Sequence, residues 1–197
     1  DVGDLDKWQV IPFFKGIAGS GKSTLLTKVF ERFYEKEDVG TLANNIERKF
    51  GLSAIKDSFM FVAPEIKADL ALEQAEFQSI VSGESVSVAV KNKTAASMVW
   101  KVPGVLAGNE VPNWKDNSGS VLRRILAWNF TKQVREADPH LDKKLESELP
   151  IILLKCVRAY LDYSNKYRDR DIWNAVPPYF KIIQKQVAMV ANTLHNF

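Results

Sequence analysis

The segment Gly16-Ile17-Ala18-Gly19-Ser20-Gly21-Lys22-Ser23 constrains this chain more than any other stretch. It matches the pattern G-x-x-x-x-G-K-S in the context the pattern requires, an apolar run before it and amphipathic spacing after it. Residues 8–14 read as a short buried strand, although Pro12 removes one ladder donor. Beyond the loop, Leu25, Leu26, Val29, Phe30 and Phe33 recur at helical spacing, with Lys28, Glu31 and Arg32 on the opposite face. Glycines in such a loop let successive backbone N–H groups turn toward phosphate oxygens where a side chain would clash. The start of the following helix adds partial positive charge. The expectation is a site for ATP and magnesium over Gly16 to Thr24. Lys22 neutralises the β and γ phosphates there, and the Ser23 hydroxyl ligates the metal.

Composition narrows the class further. A chain of 197 residues, 46% hydrophobic and 26% charged, can bury a real core and suits one domain or one domain with an appendage. No apolar run approaches the roughly 20 residues of a membrane span, so no membrane partner is expected. With Cys156 alone, an internal disulfide is excluded. The 27 basic and 24 acidic residues leave a net charge of +3, too mild to argue for nucleic acid without a local concentration. The chain opens at Asp1 and reaches a strand and phosphate loop almost at once, which leads us to expect a fragment of a longer protein.

The remaining pattern alternates strands and helices up to about residue 130. Asp57 to Ala63 reads as a buried strand ending in Pro64-Glu65, followed by a helix over residues 69–82. Ser85 to Val90 alternates with period two, and a second extended run crosses Met98 to Val102, with Lys91-Asn92-Lys93 between them. That is a hairpin with basic residues near its tip. Val105-Leu106-Ala107 forms a core strand ending at Gly108-Asn109, and Ile125 to Phe130 another. From Pro139 the pattern turns helical, with Leu141, Leu145, Leu149, Ile152, Leu153, Cys156, Val157 and Tyr160 on one face. A polar stretch from Ser164 to Asp171 precedes a last helix around 178–195. The organisation expected is a core over 1–138 and a helical region over 139–197, the core being an α/β sandwich on a mainly parallel sheet.

Three further features carry candidate chemistry. Glu65 follows a strand after a phosphate-loop unit, where such ATPases hold magnesium or orient the attacking water. Asn109 closes a core strand, and a neutral amide beside the γ-phosphate positions water without adding charge. Arg123 and Arg124 precede a strand and offer an arginine finger. His140 and His195 lack partners at ligand spacing and receive no role. Cys156 and the five tryptophans read as packing, and Lys166 to Asp171 as a solvated loop.

The order of these features resembles the superfamily 3 helicases, and more narrowly the helicase part of the primase–helicases of large DNA viruses and satellite phages. The matching stretches are Gly16 to Thr24, Phe59 to Glu65, Gly83 to Lys93, Pro103 to Pro112 and Leu122 to Phe130. They continue through Leu141 to Leu145, Glu148 to Pro150 and Trp173 to Phe180, so the resemblance covers nearly the whole chain. It implies an AAA+-like P-loop ATPase with a basic β-hairpin insertion and a C-terminal helical appendage. It further implies action on single-stranded or forked DNA by a ring, hexameric in the family, with a primase module upstream. By position, Lys91 and Lys93 fall in the DNA-contacting hairpin, Asn109 matches the sensor, and Arg123 or Arg124 the finger donated by a neighbouring subunit. Many members carry two acids at the end of the second strand, whereas here Pro64 precedes Glu65. Either Glu65 does both jobs, or Asp57 or Asp69 helps. Two rival readings are a P-loop kinase for a small substrate and a ring ATPase that remodels protein partners.

Overall fold

The computed structural model describes residues 6–42, 51–68, 70, 72–89, 95–112, 114 and 119–194, with side chains described as far as residue 189. Its centre is a five-stranded sheet formed by β1 (Ile11–Gly16), β2 (Val39–Thr41), β3 (Met60–Ile66), β6 (Gly104–Gly108) and β7 (Ile125–Phe130). The order is β2-β3-β6-β1-β7, and every pairing is parallel. A two-stranded antiparallel ribbon, β4 (Ser85–Val88) with β5 (Ala96–Val99), interrupts the chain before β6. The helices are α1 (Lys22–Leu25), α2 (Gln74–Ser82), α3 (Leu141–Tyr167) and α4 (Pro178–Leu194).

The strands are apolar on both faces because both faces are covered, as parallel sheets require. Phe14, Met60, Val62, Val105 and Ala107 point to the face on which Leu26 of the first helix packs. Phe13, Phe61, Ala63, Leu106 and Ala127 point to the other, against Phe77, Ile80 and Val81 of α2. Ile183 and Val187 of α4 join that second cluster. In the hairpin, Val86 and Val88 are buried while Ser85 and Ser87 are exposed, which is the period-two pattern of its sequence. Lys91 and Lys93 lie outside the described residues.

Several elements depart from their sequence expectation for identifiable reasons. β3 starts at Met60 and runs on through Pro64 and Glu65 to Ile66. Its register against β6 shifts between Ala63 and Ile66, and an irregularity of this kind is where a strand tolerates proline. Pro12 sits inside β1, but pairing with β6 begins only at Phe13, so the missing donor falls beside the ladder's start on that side. The first helix is α-helical for four residues, π over Leu26–Phe30 and 3-10 over Glu31–Phe33. Thr27 Oγ1 donates to Ser23 O at 2.9 Å, a back-bond that distorts helices at this spacing. α2 starts at Gln74, five residues later than its apolar spacing predicts. The edge strand β2 is three residues long and follows an acidic run, too short to show periodicity.

α3 differs most. It continues through Ser164 to Tyr167 instead of breaking there, with Pro150 inside it. Its last carbonyls, which a helix end leaves without partners, are taken by the segment that precedes β1. Trp8 Nε1 donates to Tyr167 O at 3.0 Å, and Lys7 N to Arg168 O at 3.1 Å. Tyr160 stacks edge-on against Trp8 and donates to Asp6 at 2.6 Å. Cys156 is exposed, not core, as are Leu153 and Val157 of the same helix. At its start α3 meets the first helix through charge, Asp142 and Glu146 pairing with Lys28 and Arg32, while further along Ile152, Leu153 and Cys156 face Phe14, Val29 and Phe30 across an open cavity.

Gly104 tests the packing directly. A Cβ there would stand 2.1 Å from the ring of Phe61, which is itself buried. Gly104→Ala is therefore expected to lower stability by about 1–3 kcal/mol despite the entropy it removes from the unfolded chain. Urea unfolding should show a lower midpoint at unchanged slope. An unchanged midpoint would mean that the β3–β6 contact is not close-packed.

Candidate nucleotide site

The site begins with strand topology. The connection leaving β1 runs toward the β2 edge, whereas the one leaving β6 passes β1 to reach β7. Chain segments thus part in opposite directions at the carboxyl ends of β1 and β6, and ligands of open α/β sheets bind in such crevices. An open cavity of about 480 Å³ lies there. Its lining comes from Lys15, Gly16, Ile17 and Ala18 after β1, Asn109 and Glu110 after β6, and Asn129, Phe130 and Thr131 after β7.

The loop's glycines have separate jobs. Gly16 pairs with Phe130, and a Cβ on it would meet Phe130 O at 2.1 Å, so only glycine lets β1 and β7 close at this level. Gly21 precedes α1 with φ 92°, a left-handed conformation that glycine adopts without strain. The loop is held in shape by its own atoms and by the chain after β7. Ser20 Oγ donates to Ile17 O at 2.7 Å, and Val134 N to Gly19 O at 2.9 Å.

Lys22 is buried, and its ammonium donates to Gly16 O at 2.7 Å and Ile17 O at 2.8 Å. Burial pushes its pKa below the ordinary lysine value, while the charge of Glu65 acts in the opposite direction. Glu65 is exposed at the carboxyl end of β3, one strand beyond β6. Ser23 is exposed and Thr24 half-buried in the first turn after the loop. The fold thus brings Gly16 to Thr24, Glu65 and Asn109 to one end of the sheet.

The other candidates sit elsewhere. Arg123 and Arg124 form a single 3-10 turn before β7, and β7 opens opposite Ile11 while it closes opposite Gly16. The two arginines therefore lie a strand length from their own phosphate loop, roughly 17 Å. Arg124 is buried, donating Nε to Ser82 Oγ at 2.9 Å and Nη1 to Ser120 O at 2.6 Å. It ties the end of α2 to the turn. Arg123 is exposed, and its backbone O accepts from Trp173 Nε1 at 2.6 Å. Asp57 is exposed beside Lys56, before β3 begins, and so at the opposite end of that strand from Glu65. Asp69 lies outside the described residues.

Glu110, Asn129 and Thr131 line the cavity without having been singled out from sequence. Their position directly at the ends of β6 and β7 was the available signal.

A family model described as "Family of unknown function (DUF5906)" matches residues 14–124. Among solved structures, the A form of the apo NrS-1 C-terminal region superposes with a TM-score of 0.54 at 14% identity, over 74% of this chain and 35% of that one. A second apo structure of that region gives 0.54 and 14%, over 73% and 36%. A JCV helicase structure gives 0.47 and 16%, over 92% and 56%. The chain thus spans about a third of the length of the NrS-1 structures it matches, and at this identity the NrS-1 likeness is one of fold.

The two arginines should respond differently to truncation. Arg124→Ala leaves Ser82 Oγ and Ser120 O without their donors and should cost about 1–3 kcal/mol in denaturant unfolding. Arg123→Ala should stay within about 0.5 kcal/mol of wild type. Equal losses for the two would contradict this division.

Proposed function

We propose that this chain, which belongs to the DUF5906 family, is an ATP-driven motor that acts on DNA as a ring, in the manner of the superfamily 3 helicases its sequence resembles. The observation that carries the reading is the phosphate loop, with a buried Lys22, opening on a cavity that Asn109 also lines.

Each residue then has a physical task. Backbone N–H groups of Gly16 to Thr24 cradle the phosphates. Lys22 trades the carbonyls of Gly16 and Ile17 for phosphate oxygens, and the negative charge there favours its ammonium as Glu65 already does. Magnesium, when bound, screens the charge that develops on the transferred phosphoryl group. The chain's donors suit it: the Ser23 hydroxyl and the Glu65 carboxylate are hard oxygens, and this ion takes few protein ligands beside the phosphates. Glu65 accepts a proton from the attacking water, and the Asn109 amide holds that water in line without adding charge.

Arg123 supports the ring. It cannot reach the phosphates of its own chain from the far end of β7, yet it is exposed, so a neighbouring subunit's site is where it acts. Arg124, committed to Ser82 and Ser120, stays structural. The hairpin of β4 and β5 leads into the amino end of β6, and Lys91 and Lys93 between its strands supply contacts to DNA phosphates. Such contacts are independent of sequence and sensitive to salt.

ATP hydrolysis measured with and without single-stranded DNA tests the reading. Wild type should be stimulated by DNA, Lys22→Ala should be inactive in both conditions, and Lys91→Ala with Lys93→Ala should keep basal turnover but lose stimulation. Full activity of Lys22→Ala would sink the proposal. Phosphate transfer to a small acceptor without DNA stimulation would favour a kinase instead.

Sharing of sites between subunits has its own signature. Arg123→Ala should retain nucleotide binding and lose turnover on the order of a thousandfold. Mixed with Lys22→Ala under conditions where rings form, it should recover part of the activity. No recovery at any ratio would argue against an arginine acting between subunits.

A further inference from the structure

We infer that Glu110 is the second carboxylate of the nucleotide site, directed at the divalent cation that accompanies the triphosphate; the inference rests on the nucleotide reading proposed above. With Pro64 before it and Ile66 after it, Glu65 is the single carboxylate that the end of β3 offers. Asp57 is removed by its place before the strand begins.

β6 supplies what β3 lacks. Its end approaches β3 so closely that a Cβ on Gly108 would meet Ile66 O at 2.4 Å. The chain turns sharply there, and Asn109 and Glu110 both line the cavity that holds Gly16 to Ala18. Among the described residues the Glu110 side chain makes no hydrogen bond or ion pair, and Lys15, which lines the same cavity, forms none with it. A solvated carboxylate beside a triphosphate is repelled by it. A divalent cation between the two turns that repulsion into attraction, and magnesium sites are commonly built from one or two carboxylates with substrate phosphates. Glu65 near the end of β3 and Glu110 just after β6 stand at the same end of two adjacent parallel strands, so a cation held there has a carboxylate available from each.

This arrangement predicts a reversal of sign that an uninvolved surface glutamate cannot give. Binding of a fluorescent ATP analogue is titrated against wild type, Glu110→Gln and Glu110→Asp, once in excess magnesium and once in EDTA. In magnesium, Glu110→Gln should bind more weakly than wild type, by about three- to fivefold, and in EDTA more tightly by a similar factor, since one repulsion is gone. Glu110→Asp keeps the charge and should follow wild type in EDTA. Equal affinities of wild type and Glu110→Gln in both buffers overturn the inference and leave the nucleotide site standing. The reversal appearing in Asp69→Asn but not in Glu110→Gln likewise overturns it. A wild-type chain that binds no nucleotide in either buffer overturns the nucleotide reading itself.

Discussion

Everything in this molecule depends on β1 being paired in parallel on both sides. Phe13 to Lys15 match Leu106 to Gly108 on one side, and Ile11 to Gly16 match Ile125 to Phe130 on the other. That register places the phosphate loop, Asn109 and Asn129 at one level, because all three strands end together. Gly16 permits it: any side chain there would strike the backbone of Phe130. The loop inherits its geometry from the sheet, and the fold and the site are to that extent one constraint.

The same topology separates two kinds of charge. Carboxylates and amides collect where strands end, and the arginine turn where β7 begins. Arg124 spends its guanidinium on Ser82 and Ser120 and fixes how the turn sits against α2, which leaves Arg123 exposed beside it. α4 reinforces this end. Gln184 donates to Leu122 O at 3.3 Å, and Tyr179 OH accepts from Asn129 N at 2.8 Å, covering the outer side of the edge strand β7. A helix from the C-terminal region thus holds both ends of the strand that joins the arginine turn to the cavity.

Much of this was legible in the sequence, for reasons particular to each element. β6 is an apolar run closed by glycine at both ends, and β7 an apolar run that follows the Arg123-Arg124 pair and is broken only by Asn129, so their ends fall where expected, and Asn109 with them. The hairpin announced itself by Val86 and Val88, whose burial follows from alternation. What escaped depends on contacts distant in sequence. β3 runs past Pro64 because an irregularity against β6 absorbs it. α3 runs past Ser164 because Lys7 and Trp8, far away in the chain, take its final carbonyls. The apolar stripe of α3 predicts a core position for Cys156, yet the helix stands off from the body there, so that Cys156 is exposed at an open cavity whose other wall is Val29 and Phe30. Glu110 carried no periodic signal; only the crossing of the chain at the end of β6 makes it part of the cavity.

The loop from Gly16 to Thr24 and the end of β6 together make up the proposed triphosphate site. Amide hydrogen exchange with and without magnesium and a non-hydrolysable ATP analogue tests it at the level of the backbone. Exchange should slow at Gly19 to Thr24, whose N–H groups take up phosphate oxygens, and at Asn109 and Glu110 across the cavity. Protection that appears elsewhere while both of these segments exchange as in the free protein would contradict it.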